Sequence, residues 1–437
     1  MSLQLSSMEQ LFFLERDPGK SVTFCFSVEL YEEVNPARLK EAAEITVGFF
    51  PRLREKPVLT REGKLILRPN SLPAPVFGNT DKPLLLGSAE TNGYLYAIRA
   101  CGRKIFVTFS HAVADVGAAD AFLRQLIYEY FCLSGEEIPA EGLVYTEKAP
   151  AEHLMSLEEA IAAYQKQNPS LIAGATEVSE APALLKPSVE IYSEWPLFGT
   201  PYAHAADLTW DNGELIRAVK KLNATPFSFL SAVAAHAACR TTESSGKEIR
   251  ESYGYSMRKF LNVPSQCSFT VPVEISYEPG ASLPETLREI QTRMEAAGAL
   301  ENLLKNGKIN ETYADMMVNS LDMRRIVSIT EKLRSQWKNV SAETFYFANL
   351  GILRFPSRVQ EKIRSCSIMP NPQKKVTDLY SSVYNGTGIL RTVINSEKEC
   401  LLQHVSDIMK DYDINCTYHE IGKTLSDRVD VLQFERE

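Results

Sequence analysis

Residues 104–130, KIFVTFSHAVADVGAADAFLRQLIYEY, change their hydrophobic period across a short run of small residues. Up to Ser110 the apolar side chains alternate, as on a half-buried strand. Beyond Asp115, Phe122, Leu123, Leu126, Ile127 and Tyr130 fall on one face of a helix. A strand feeding directly into a packed helix commits this part of the chain to a mixed α/β layer.

The flanking sequence fits the same class. Ser6 and Glu9 have the spacing of a capping box for a short helix through Leu14. Val22, Phe24, Phe26, Val28 and Leu30 lie on one face at period two, the pattern of a half-buried strand. Asn35 and Pro36 supply an N-cap and a first-turn proline for a helix towards Phe50. YLYAIRA and KIFVTF read as a hairpin about Cys101, Gly102 and Arg103. Between about Ala140 and Pro201, a helical SLEEAIAAYQKQ leads into a segment rich in Pro, Ala, Ser and Glu that reads as a linker or an edge-wrapping stretch. A second unit opens with the strand YAHAADLTW, a helix after Asp211 and Asn212, and TPFSFLSAVAAHAACR, apolar enough on all sides to be a buried helix. Strands in IRESYGYSM and SFTVPVEISY, a helix from Pro284, strands in ETFYFANLGIL and LYSSVYNGTGILRTVI, and a last helix KECLLQHVSDIMKDY complete the order. The expected organisation is a first lobe over 1–180, a linker over 181–200, and a second lobe over 201–437, part of which crosses to the first.

With 437 residues, the chain exceeds what one core usually serves. A net charge of −8 provides no global basic field for a nucleic acid or an anionic membrane. The eight cysteines are scattered, with no tight pair suited to zinc or redox chemistry, and read as thiols of a reducing compartment. The N-terminal stretch lacks the basic region of a secretory signal, and no apolar run has the length of a membrane span. A cytoplasmic protein is expected, with no nucleic-acid partner, no membrane span and no metal. The remaining histidines, His153, His204, His236, His404 and His419, are not at metal-ligand spacing, and His236 reads as a core residue. G-x-S-x-G, P-loop and Rossmann fingerprints are absent.

His111 stands where a strand ends before a loop and a helix, a position that borders sites in α/β proteins. Its small neighbours Ser110, Ala112 and Ala114 leave room for a substrate, and an imidazole exchanges protons near neutral pH. On the residues alone, the plainer reading of a structural histidine and an ordinary N-cap at Asp115 prevails.

SHAVADVG, with its strand and helix, resembles the H-x-x-x-D-G motif of the CoA-dependent acyltransferase superfamily. That superfamily spans chloramphenicol acetyltransferase, plant BAHD acyltransferases, condensation domains of peptide synthetases and bacterial alcohol acetyltransferase-like proteins. The last branch is the most similar, through length, motif position, the segment Phe50-Pro51-Arg52-Leu53-Arg54, the buried helix TPFSFLSAVAAHAA and Asn349-Leu350-Gly351. The resemblance implies two chloramphenicol-acetyltransferase-like lobes, each a mixed sheet with helices, around an active-site tunnel. It implies His111 as general base towards an alcohol or amine, and Asp115 as the residue that turns away and pairs with an arginine to hold the loop. Arg54 and Arg258 are the candidate partners, Arg54 being favoured. Asn349 is the candidate for lining the tunnel or donating to the oxyanion. Ser110 and Gly117 depart from the family pattern, which has a second His before the motif His and places Gly directly after the Asp, where Val116 stands here.

The resemblance further implies acyl-CoA, with acetyl-CoA favoured, as a co-substrate rather than a resident cofactor. Arg324, Arg325, Lys332 and Arg334, or Lys374 and Lys375, are candidate local charges for its phosphates, with solvated surface charge as the alternative. Three functions stand open: a CoA-dependent O- or N-acyltransferase; a condensation-like enzyme whose donor sits on an acyl or peptidyl carrier protein; and a non-catalytic binding or scaffold protein of the same fold. A monomer fits a groove formed within one chain.

Overall fold

The computed structural model describes residues 5–6, 9–10, 12, 23–80, 83–147, 154–168, 187–189, 191, 202–280, 282–308, 343–369, 377–394, 396–425, 428–429 and 435–436. In the first half, strand β1 (Thr23–Leu30) precedes helix α1 (Pro36–Val47), whose Asn35 cap accepts from the Ala37 and Arg38 amides. The short β2 (Val76–Gly78), the hairpin β3 (Tyr96–Cys101) and β4 (Lys104–Ser110), and helix α2 (Val116–Cys132) follow. Phe24, Phe26, Val28 and Leu30 of β1 and Ile105, Val107 and Phe109 of β4 form one core with Leu39, Ala43 and Val47 of α1 and the apolar face of α2.

In the second half, α3 (Leu157–Gln167) precedes β5 (Tyr202–Asp211), α4 (Asn212–Lys221) and α5 (Pro226–Thr241). Next come β6 (Ile249–Ser256), β7 (Thr270–Tyr277) and α6 (Leu283–Ala297). β8 (Phe345–Ile352), β9 (Ile363–Met369), β10 (Thr377–Tyr384) and β11 (Thr387–Val393) lead to α7 (Ser396–Lys410) and β12 (Thr417–Leu425). The β10–β11 turn is Asn385-Gly386 at φ 48° and 79°, the left-handed pair that matches strand twist in a tight hairpin.

Two main sheets result. The first has the order β9-β1-β4-β3-β2 and the second β7-β6-β8-β10-β11-β5-β12. The second is mixed, with β8 parallel to both β6 and β10. One of its faces carries Leu208, Trp210, Phe345, Phe347, Leu379 and Leu390 into a second core with α5, α6 and α7. The other face puts Tyr380 and Tyr384 against the first core. The fold is thus α/β, with two sheet-and-helix lobes.

The lobes interlock. β9 pairs antiparallel with β1 at the edge of the first sheet, although its neighbours in sequence, β8 and β10, lie in the second. Arg391 of β11 grips both carboxylate oxygens of Asp207 at 2.6 Å, and its remaining amine donates to Ser367 Oγ of β9 at 2.7 Å. Near the chain end, Arg428–Val429 and Glu435–Arg436 pair parallel with Leu85–Leu86 and with the strand Glu55–Leu59. The packing boundary also departs from the compositional one: Leu157, Ala160 and Ile161 of α3, with Val189 and Ile191, lie in the second core although they precede residue 200. Composition follows exposure, whereas core membership follows which sheet an apolar face can reach.

Glu251 of β6 is fully buried in the second core, where Ser231 Oγ and Tyr277 OH donate to its Oε2, while Oε1 has no hydrogen-bond partner among the described residues. Burial pushes its carboxyl up from 4.5 to about 7. The folded state holds this proton more tightly than the unfolded chain, so stability is greatest below pH 4.5 and is lost as the pH rises to about 7. The slope is at most about 1.4 kcal/mol per pH unit. Glu251→Gln, neutral at every pH, is expected to gain stability relative to the native chain between pH 5 and pH 8 in urea titrations; parallel curves would show that the carboxyl is already ionised when buried.

Candidate active site

The loop after β4 is built by local hydrogen bonds. The Ser110 amide donates to Leu95 O at 2.9 Å, and Ser110 then accepts from Val113 N–H on its carbonyl and from Ala112 N–H on its hydroxyl, at 3.2 and 3.3 Å. Ser110 is thus the hinge of a tight turn. Ala112, Val113 and Ala114 are buried, whereas His111 just before them is half-exposed. Two aromatic rings lie against its imidazole: Phe24 of β1, with centroids 4.5 Å apart, and Phe12 of the N-terminal segment, stacked at 5.3 Å and 26°.

Asp115 is the N-cap of α2, its Oδ1 accepting from Ala118 N–H at 2.9 Å. The same carboxylate meets Arg258 end-on, Nη1 to Oδ2 and Nη2 to Oδ1, both at 2.7 Å. Oδ2 also accepts from the Phe269 amide at 2.8 Å and Thr270 Oγ1 at 3.0 Å. Burial alone would raise the pKa of Asp115, but the charge and hydrogen bonds of Arg258 and the two amides outweigh it, and the carboxyl lies below its ordinary value. Asp115 is therefore an ionised, fully engaged anchor. Arg258 is equally committed, with Nε on Ser265 O at 2.9 Å and Nη2 on Cys267 O at 2.7 Å. Because Arg258, Phe269 and Thr270 belong to the second half, this ion pair fixes the His111 loop across the lobes.

The arginine preference read from sequence is corrected here: the partner of Asp115 is Arg258, not Arg54. Pro51–Arg54 is a 3-10 turn that sends Arg52 inward, while Arg54 lies over α1 and donates to Glu44 Oε2 at 3.0 Å. The shifted glycine has a physical account. Val116 is the first residue of α2 and is not among the residues with positive φ, so that position does not demand glycine. Gly117 does face a constraint, since a Cβ there would lie 3.0 Å from Arg258 Nη1, a group too tightly held to move aside.

Asn349 is exposed on β8, and its Oδ1 accepts from Gly351 N–H at 2.9 Å, shaping the turn where the β8–β10 register breaks. His236 is half-buried in α5 with its Nε2 2.8 Å from Thr286 Oγ1, and burial lowers its pKa. Arg324, Arg325, Lys332, Arg334, Lys374, Lys375 and His153 lie outside the described residues. Among the described residues, no group of three or more His, Cys, Asp and Glu side chains could hold a metal ion, and no helix is long and apolar enough to cross a membrane.

Three contributors were not singled out from sequence. Phe269 and Thr270 act through a backbone amide and an ordinary hydroxyl, which leave no motif. Phe12 lies in an apolar run whose period does not say which ring meets the imidazole.

No protein-family profile and no curated protein sequence matches the chain. Solved structures do. The polyketide synthase associated protein 5 of Mycobacterium tuberculosis superposes with a TM-score of 0.60 at 13% identity, over 94% of this chain and 98% of that one. A trichothecene 15-O-acetyltransferase of Fusarium sporotrichioides gives 0.59 at 10% identity, over 94% and 95%. The first condensation domain of the calcium-dependent antibiotic synthetase gives 0.57 at 12% identity, over 94% and 97%. At such identities the likeness establishes the fold: the two-lobed architecture shared by condensation domains and this kind of acetyltransferase.

Removing one member of a buried ion pair leaves the other charge uncompensated, at a cost of about 3–5 kcal/mol. Arg258→Met is accordingly expected to lower the unfolding free energy by about that much, and Asp115→Asn added to it to recover part of the loss. Denaturant titration of the four-member cycle checks this. Strict additivity of the two substitutions would mean that the pair is not coupled.

Proposed function

We propose that this protein is an acyltransferase that moves an acyl group from an acyl thioester directly to an alcohol or amine, with His111 as general base. The observation that carries the reading is the anchoring of the His111 loop. Every described bond of the Asp115 carboxylate goes to the loop's own helix or to the opposite lobe, which fixes the backbone that presents the half-exposed His111 imidazole.

The acceptor O–H or N–H gives its proton to an imidazole nitrogen as its lone pair attacks the thioester carbonyl. The tetrahedral oxyanion then collapses, the C–S bond breaks, and the departing thiolate takes the proton back from the imidazolium. Thiols near pKa 8.5 leave readily, so no covalent enzyme intermediate is required. An oxyanion requires a donor about 3 Å away. Asn349 is the candidate from the resemblance; its Oδ1 is engaged by Gly351, and its amide is the group capable of donating.

Acyl-CoA, acetyl-CoA first, is the proposed donor, and a tunnel between the lobes the proposed path to His111. The second reading, a donor carried by an acyl or peptidyl carrier protein, draws on the fold shared with a condensation domain. Mass-spectrometric detection of free CoA from a panel of acyl-CoAs with mixed alcohols and amines separates the two. Turnover is expected, falling by about 10²–10⁴-fold in His111→Ala. Turnover unchanged by that substitution would remove His111 from the chemistry, and turnover only with acyl-carrier donors would replace CoA as the donor. Failure with both donor kinds would leave the fold as a binding scaffold.

A further inference from the structure

The N-terminal segment is held against the site by an interaction that neither the Asp115 anchor nor the core requires. Ser6 and Glu9 close a capping box, with the Ser6 amide on Glu9 Oε2 at 2.9 Å and the Glu9 amide on Ser6 Oγ at 3.1 Å. The carboxylate of Glu9 also receives Arg52 Nη2, and both residues of this ion pair are only 2% exposed. A buried pair of this kind is a poor source of net stability but an effective way to fix one register. Leu5, on the same segment, packs in the first core. One turn beyond Glu9, at the i+3 position that shares its helix face, Phe12 stacks on the His111 imidazole.

The pair lies beside the loop that anchors Arg258. Cys267, whose carbonyl accepts from Arg258, has a thiol that burial pushes up to about 11 and that lies within the fields of both Arg52 and Glu9. Gln266 in the same loop reaches back to Phe49 O at 2.9 Å, next to the Pro51–Arg54 turn. Two ion pairs, one buried and one partly buried, therefore flank the 265–269 loop. Asp115–Arg258 fixes the backbone that carries His111, and Glu9–Arg52 fixes the segment that carries a ring against its side chain. Glu55 also faces the pair, and burial pushes its carboxyl up to about 7 in spite of Arg52.

We propose that Phe12 is a positioning residue for His111, placed by the Glu9–Arg52 ion pair, and that with Phe24 it restricts the imidazole to one orientation and shields part of it from water. This rests on the reading of His111 as general base, but the contact can be tested apart from it. Misplacing a catalytic group by about 1 Å costs up to about 10²-fold in rate. Phe12→Leu, which keeps apolar volume but loses the ring, is expected to lower kcat by about ten- to hundredfold with KM changed by less than about twofold. Phe12→Tyr, which keeps the ring, should restore most of that loss. Glu9→Gln should move kcat in the same direction without touching the ring.

The decisive readout is a ring-carbon NMR titration of the full chain, with the His111 signal assigned through His111→Ala. The His111 midpoint is expected to move by about half a unit or more in Phe12→Leu and to follow in Glu9→Gln, whereas a purely structural defect would not move it. An unmoved midpoint with unchanged kcat in both variants would overturn the proposal. A moved midpoint in a protein that turns over no thioester would uphold the positioning of His111 while refuting the acyltransferase reading.

Discussion

The bidentate Asp115–Arg258 ion pair is the contact on which the arrangement of this site depends. It joins the N-cap of α2 to Arg258 of the opposite lobe, and breaking it would leave the buried Asp115 carboxylate without its counter-charge. Charge-assisted bidentate bonds are directional as well as strong. A lobe displacement that stretched this pair would also detach the Phe269 amide and Thr270 hydroxyl from the same carboxylate. The position of His111 is thereby tied to the relation between the lobes, not to its own strand alone. The Arg391–Asp207–Ser367 bridge is a second polar tie between the two sheets, so their separation is held at more than one point.

Much of this architecture is legible in the sequence because burial leaves a period. The alternation in β1 and β4 and the helical stripe of α2 predict the residues found in the first core, and the signals at Asn35 and Asp211 mark helix starts. Two strands without a sequence signal depend on distant partners for their placement. β9 lies at the edge of the first sheet, paired with a strand more than three hundred residues away in sequence, and its half-polar IRSCSIM carries little alternation. β12 follows α7, where the pattern gives no hint that a last edge strand will close against β5.

The site divides along the same line. His111, Asp115 and Ser110 occupy one local motif and can be read together. The partner of Asp115 could not be chosen from spacing, because neither Arg54 nor Arg258 is near in sequence to a loop whose surroundings are set by tertiary packing. The structure separates them by direction. In a 3-10 turn, residues two apart point to different sides, so Arg52 enters the protein and Arg54 faces α1. The two arginines of this segment have different work: Arg52 fixes the N-terminal segment and Arg54 braces α1.

The glycine displaced by one position bears on whether the loop keeps a geometry suited to chemistry. Glycine is essential in such a loop only where the backbone enters the left-handed region or where another group approaches too closely for a Cβ. Val116 adopts helical backbone as the first residue of α2, so the first condition does not arise there. The second arises one residue later, where Gly117 admits Arg258 Nη1 to within 3.0 Å of where a Cβ would stand. The glycine thus sits where the guanidinium passes, and the backbone that presents His111 is unstrained at the residue that differs. The residue that differs from the motif thus demands nothing only glycine can supply, and the space that a Cβ would fill is needed at Gly117, beside Arg258.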